Sequence, residues 1–94
     1  AGAFRGSLAL LLAQQGQREE ALELLETGEP LVESYTEELA KFLCKKGRVQ
    51  LLDEKPDAAR DSLAQARAIY KQLNLGEESE IGQVISTLES LVDS

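Results

Sequence analysis

The pattern that decides the fold occurs twice, as RGSLALLLAQQGQREEALELLETG at residues 5–28 and as LCKKGRVQLLDEKPDAARDSLAQA at residues 43–66. A shift of 38 residues superimposes the small residues and leucines of one stretch on those of the other: Ala9 on Gly47, Ala21 on Ala59, Leu25 on Leu63, and Gly28 on Ala66. Two antiparallel helices approach closely only where small residues face each other, and leucines fill the remaining space. The pattern therefore predicts a helical hairpin that is present in two copies.

The composition of the chain favours helices along its whole length. The 94 residues are 43% hydrophobic and 29% charged, values typical of a globular protein, and the length suits one domain. Ala, Leu, Glu, Gln, Lys and Arg are abundant, and these are the strongest helix formers. Only 4% of the residues are aromatic, which argues against a β-sandwich or barrel. We expect a single all-α domain over residues 1–94.

Helical periodicity appears in five segments that turn residues separate. The predicted helices cover residues 3–15, residues 18–27, a third segment starting near Ser34 or Thr36, a fourth from Pro56 to Leu73, and a last one capped by Ser79. Gly16 ends the first helix, Gly28 and Pro30 bend or interrupt the chain after the second, and Asn74 or Gly76 ends the fourth. We expect one hairpin at about 3–33, another at about 35–74, and a terminal or capping helix at about 77–93.

These hairpins resemble the tetratricopeptide repeat (TPR), a helix–turn–helix unit of about 34 residues. The motifs that carry the resemblance are Arg5-x-x-Leu8-Ala9-x-x-Leu12 with Ala21-x-x-x-Leu25, and Leu43-x-x-Lys46-Gly47-x-x-Gln50 with Ala59-x-x-x-Leu63. A partial third copy is Ile81-Gly82-x-x-Ile85. The 38-residue spacing is similar to the longer-helix variants of the family. The resemblance implies a short right-handed α-solenoid of about five helices; an unrelated five-helix bundle is the alternative.

The resemblance also implies a function and a site. In this family the first helices of successive repeats line a concave face, which binds an extended peptide or a helix of a partner protein. The matching positions are Leu10 and Gln14 in the first copy, Lys41, Cys44, Lys45 and Arg48 in the second, and Gln83 and Thr87 in the third. We therefore expect a protein–protein interaction module with partner-binding residues Lys41, Cys44, Lys45, Arg48, Gln14 and Gln83.

The distribution of charge favours an acidic ligand. The net charge is −7, yet residues 39–56 carry five basic and two acidic side chains. Lys41, Lys45 and Arg48 recur at i, i+4 and i+7, so one helix face is positive and suits a carboxylate or an acidic peptide segment. The alternative is that these cations only balance neighbouring residues, namely Glu37, Glu38 and Asp53.

Several classes of function are not expected from this composition. The chain has no histidine, the side chain best suited to proton transfer near neutral pH, and no glycine-rich phosphate loop or metal-ligand spacing. We therefore expect neither an enzyme nor a bound cofactor or metal. The single cysteine suits a reducing cytoplasm, and Cys44 is more typical of a small buried residue than of a nucleophile. The acidic balance argues against nucleic acid and anionic membrane as partners.

Self-association is the alternative function. The first helix has an apolar side with Phe4 and Leu11 that nothing else in the predicted array would cover. Repeat arrays need polar caps and about three repeats for stability. The chain contains no methionine, and we expect it to be a piece of a longer scaffold or regulator. A homodimer, or stacking within a longer repeat array, would cover this side.

Overall fold

The computed structural model describes the backbone of residues 2–93 and the side chains of residues 4–93. It consists of five helices: α1 (Gly2–Gln14), α2 (Arg18–Val32), α3 (Thr36–Leu52), α4 (Pro56–Leu73) and α5 (Glu80–Val92). Between residues 2 and 93 there is no β-strand, so the all-α prediction is confirmed. None of these five helices combines the length and the apolar character needed to cross a membrane.

Most of the predicted helix boundaries coincide with local backbone signals. Gly16 adopts a positive φ of 84° two residues after the end of α1, and Asn74 is left-handed (φ 56°, ψ 45°) at the end of α4. Pro56 occupies the start of α4, where its missing N–H has no helical partner to lose. The Ser79 hydroxyl accepts a hydrogen bond from the Gly82 amide at 3.1 Å and caps α5.

The predicted end of the second helix is wrong. The sequence predicts a helix over residues 18–27 with a bend or an interruption at Gly28 and Pro30, but α2 continues through both residues to Val32. Gly28 is buried, and a Cβ atom at this position would lie 3.0 Å from the Phe42 ring, so tertiary packing against α3 holds this part of α2 in place. The helix ends two residues beyond the proline.

The helices form two hairpins and one additional helix. α1 pairs with α2 and α3 pairs with α4, while α5 packs against both α3 and α4. α3 is central and contacts all four other helices. Because short turns join the first four helices, consecutive helices run antiparallel, and α1 and α3 therefore point the same way. The molecule measures 35 × 31 × 19 Å.

Two apolar clusters hold these helices together, and α3 contributes to both. The first cluster contains Ala9, Ala13, Ala21, Leu25, Val32, Phe42 and Val49. The second contains Ala40, Leu43, Cys44, Ala59, Leu63, Ala66, Ile81, Ile85, Leu88 and Val92. The small residues of the repeated pattern lie in these clusters: Ala9, Ala21 and Ala59 are 0% exposed. Close helix packing at the small residues, the basis of the sequence prediction, is therefore present in both hairpins.

Gly82 differs from its match in the sequence pattern, Gly47. A Cβ atom at Gly47 would lie 2.7 Å from Leu88 Cδ2, so α3 approaches α5 at this glycine. At Gly82 a Cβ atom would lie 2.6 Å from the Glu77 carbonyl oxygen and 2.9 Å from that of Gly76. Gly82 thus accommodates the turn that precedes its own helix.

Candidate partner-binding face

Two side-chain contacts join α1, α3 and α5 on one side of the molecule. The Lys45 ammonium on α3 donates a hydrogen bond to the Ser7 hydroxyl on α1 at 2.9 Å. Lys41, one turn earlier on α3, forms an ion pair with Glu80 at the start of α5, at 3.0 Å. The same lysine forms an ion pair with Glu38 at 3.0 Å. The stripe of basic residues on α3 is therefore the centre of a surface that three helices share.

The hydrogen bond between Ser7 and Lys45 fixes the register of α1 against α3. Because the two helices are parallel, Leu10 lies level with Arg48, one turn further along. On α5, Glu80 contacts Lys41, and Val84 and Thr87 follow Glu80 at helical spacing on the same side of the helix. We call this surface the three-helix face and define it by Ser7, Leu10, Gln14, Lys41, Lys45, Arg48, Glu80, Val84 and Thr87.

The middle of the three-helix face carries positive charge without a carboxylate partner. Arg48 is half-buried, and among residues 4–93 its guanidinium forms no hydrogen bond or ion pair. Lys45 donates a hydrogen bond to the neutral Ser7 hydroxyl and, within the part of the chain whose side chains are described, pairs with no carboxylate. Lys46, the next residue, lies on another side of α3 and pairs with Glu29. An anion placed between Lys45 and Arg48 would thus have no carboxylate of the protein to displace.

Lys41 differs from Lys45 and Arg48 because it forms ion pairs with two carboxylates of the protein. Hydrogen bonds from its ammonium to Glu80 and Glu38 raise the pKa of Lys41, because the two carboxylates favour the charged form. Its charge is already balanced within the protein. The alternative interpretation, in which the cations only balance neighbouring carboxylates, therefore applies to Lys41. Its partners are Glu38, which the sequence predicts, and Glu80, which it does not predict.

Cys44 does not belong to the accessible surface. Its side chain is 2% exposed and lies in the cluster shared by α3, α4 and α5. Burial raises the pKa of the Cys44 thiol to about 11, helped by the negative charge of Glu89 and opposed by Lys45. The prediction of Cys44 as a partner-binding residue is therefore wrong, because a partner cannot reach its side chain. The interpretation of Cys44 as a small buried residue agrees with its position.

Alkylation of Cys44 by iodoacetamide at pH 8 is expected to be at least about 100-fold slower in the folded protein than in urea. Burial blocks access, and the raised pKa keeps the thiol protonated, whereas only the thiolate reacts. The same raised pKa makes the folded state lose stability as pH increases from about 9 towards 11, because the unfolded chain then releases this proton first. Similar alkylation rates with and without urea would contradict the burial of Cys44.

The two predicted glutamines lie in different surroundings. Gln14 is exposed at the end of α1, on the stripe that begins at Ser7 and Leu10. The Gln83 amide donates a hydrogen bond to the Glu78 carbonyl at 3.0 Å and lines a groove of about 990 Å³ between α4 and α5. Gln83 therefore faces the groove between α4 and α5 and is not among the residues that define the three-helix face. Sequence reasoning missed Ser7 and Glu80, although both lie one turn from predicted face residues.

The comparisons with known proteins do not add to this picture. Protein-family models, curated proteins and solved structures were compared with the chain, and none of the three gave a match. The chemistry of the three-helix face must therefore be inferred from the face itself. Its side chains offer two uncompensated cationic groups, hydroxyl and amide groups, and the half-buried aliphatic Leu10 and Val84.

Proposed function

We propose that the protein is a protein–protein interaction module that binds an acidic segment of a partner across the three-helix face. The observation that carries the proposal is the uncompensated pair Lys45 and Arg48 in a chain with 17 acidic and 10 basic side chains. Most other cations already have carboxylate partners, as the ion pairs of Arg18, Lys46, Lys55, Arg60 and Arg67 illustrate. A cation that has no carboxylate partner can bind an external anion without the loss of an ion pair within the protein.

The arrangement of the helices supports a TPR-like α-solenoid as the scaffold. Each hairpin contacts the next element along the chain, α2 contacts α3 and α4 contacts α5, and α2 makes no contact with α4. Contacts limited to neighbouring units are typical of repeat proteins. In such a scaffold α1, α3 and α5 are the first helices of successive units, and the three-helix face is the concave, partner-binding surface.

The proposed complex uses both charge and shape. A carboxylate of the bound segment accepts hydrogen bonds from the Arg48 guanidinium and the Lys45 ammonium, and hydrogen bonds between charged groups are the strong ones. Apolar side chains of the same segment pack on Leu10 and Val84, on either side of these two cations. Because α1, α3 and α5 are rigid helices, the face is already formed before the partner arrives, which lowers the entropic cost of binding.

Binding can be tested with a panel of fluorescein-labelled peptides of about 12 residues in which Leu alternates with Asp or Glu. Matched peptides carry Asn or Gln at the acidic positions. Fluorescence anisotropy should show a preference for the acidic peptides, and the affinity should fall as the salt concentration rises. The double substitution Lys45→Glu with Arg48→Glu should weaken binding of the acidic peptides by at least about tenfold.

The control is Lys55→Glu with Lys71→Glu, which changes the net charge by the same amount on other surfaces. These two lysines are exposed, at the start and near the end of α4. The control variant should bind within about twofold of the wild type, apart from a general weakening that high salt removes. Equal loss of affinity in both variants, removed in both by high salt, would show that the overall charge decides, and would contradict the assignment of the face.

A further inference from the structure

Phe4 and Leu11 on α1 have counterparts in the second hairpin that are completely buried. Each lies 38 residues before an apolar residue of α3, Phe42 and Val49, and these two are both 1% exposed. Phe42 and Val49 belong to the cluster built by α1 and α2, so they attach the second hairpin to the first. Phe4 and Leu11 occupy the equivalent side of α1, where they are 69% and 50% exposed. Among residues 4–93, nothing covers Phe4 and Leu11 in the way that the first hairpin covers Phe42 and Val49.

The exposed pair is part of a larger apolar surface on α1 and α2. Phe4, Leu8 and Leu11 follow one another at helical spacing, on the side of α1 opposite to the buried Ala9 and Ala13. The Arg5 guanidinium donates a hydrogen bond to Thr27 at 3.1 Å, which places this part of α1 beside the second half of α2. Leu24 and Leu31 lie one turn before and one turn after Thr27 on α2, and Leu31 is 45% exposed.

We propose that this surface, which we call the α1–α2 face, is a two-fold interface between two copies of the chain. A face of this kind is self-complementary when a two-fold axis crosses it at right angles to α1. The axis makes the two α1 helices antiparallel, so Phe4 of one copy packs against Leu11 of the other, and the reverse contact forms at the same time. The two residues are two helical turns apart, which leaves Leu8 near the axis.

The exposed apolar area agrees with a weak dimer. Phe4, Leu11 and Leu31 together expose roughly 300 Å² per copy, or about 600 Å² when two copies meet. The smallest stable interfaces bury about 1,200 Å² in total, of which slightly more than half is apolar. The α1–α2 face supplies most of that apolar share. We therefore expect a dimer that dissociates on dilution, and the three-helix face, about a quarter turn away around α1, stays open in it.

Light scattering on a sizing column should reveal this association between about 10 µM and about 1 mM protein. The molar mass should rise from 10.3 kDa towards twice that value. Because each copy carries a net charge of −7, added salt should strengthen the dimer by screening the repulsion, whereas salt weakens binding of an acidic peptide. The opposite salt dependences separate failure of this proposal from failure of the proposed function.

The double substitution Phe4→Gln with Leu11→Gln should weaken dimerisation by at least about tenfold. Both side chains are exposed, so the variant should keep the wild-type circular dichroism spectrum and melting temperature in dilute solution. Leu52→Gln is the control, because Leu52 is 41% exposed at the end of α3, away from this face. A wild-type mass of 10.3 kDa throughout, or a dimer that survives in the glutamine variant, would overturn the proposal.

A disulfide experiment tests the antiparallel geometry directly. The variants Phe4→Cys and Leu11→Cys should form a covalent dimer when they are mixed under mild oxidation, and far less when each is oxidised alone. Cys44 does not interfere, since it is buried. Equal cross-linking of Phe4→Cys with itself would place Phe4, and not Leu8, next to the axis, and the proposed packing of Phe4 against Leu11 would be wrong.

Discussion

Replacing Phe42 by alanine is expected to lower the free energy of unfolding by about 3–5 kcal/mol. Phe42 is 1% exposed, and its ring lies against two glycines of the first hairpin. A Cβ atom would come within 2.9 Å of the ring at Gly6 and within 3.0 Å at Gly28, so both helices closely surround the ring. A smaller side chain leaves a cavity between the hairpins, because neither glycine has a side chain that could fill it.

Thermal unfolding followed by circular dichroism should detect this loss easily. For a protein of this size each kcal/mol lowers the melting temperature by about 4–8 °C, so Phe42→Ala should melt at least about 12 °C below the wild type. The matched control is Phe4→Ala, the same substitution at the equivalent position of the first hairpin. Phe4 is 69% exposed, and its loss should cost less than about 1 kcal/mol at micromolar protein concentration. Equal costs for both substitutions would contradict the packing of Phe42.

The contrast between Phe4 and Phe42 shows which features of the structure the sequence pattern predicts and which it does not. Helix periodicity, small residues and turn residues are local signals, and they predicted the all-α fold, the start of α4 at Pro56 and the cap at Ser79. Periodicity also identified the apolar side of α1 that carries Phe4. Burial depends in addition on whether a neighbouring hairpin is present, and a repeated motif contains no information on that.

The errors have the same physical origin. Pro30 and Gly28 are weak helix formers, yet α2 includes both because Gly28 packs under the Phe42 ring, a contact between residues 14 positions apart. Local preferences of about 1 kcal/mol for glycine and about 3 kcal/mol for proline are overridden by tertiary contacts.

The candidate site was predicted in part for the same reason. The spacing of Lys41, Lys45 and Arg48 placed them on one side of α3, because this follows from helix geometry alone. Which of them remains without a carboxylate depends on the neighbouring helices: Glu80 reaches Lys41 from α5, whereas α1 offers Lys45 only a serine hydroxyl. Cys44 lies between these cations in sequence but points into the core.

Replacing Gly82 by alanine is expected to destabilise the protein by about 2 kcal/mol, although alanine is the better helix former by about 1 kcal/mol. The added Cβ atom would meet the carbonyl oxygens of Glu77 and Gly76 at 2.6 and 2.9 Å, and these belong to the backbone. These close contacts can be relieved only if the turn moves away from the added methyl group. That movement breaks the hydrogen bond from the Ser79 hydroxyl to the Gly76 carbonyl, 2.7 Å long, and disturbs the cap of α5. Urea unfolding measures the loss, and hydrogen exchange should be faster at the first amides of α5.

Gly47→Ala is the matched control, because the repeat pattern treats Gly47 and Gly82 as equivalent positions. Its Cβ atom would meet the tip of the Leu88 side chain at 2.7 Å, and a methyl group at the end of a side chain can move where a carbonyl in a turn cannot. The gain in helix propensity offsets part of the remaining strain, so Gly47→Ala should cost less than about 1 kcal/mol. If Gly82→Ala proved as stable as the wild type, the turn before α5 would not pack against Gly82. Gly47 and Gly82 would then have similar surroundings, as the sequence match indicates, and their contacts would not distinguish them.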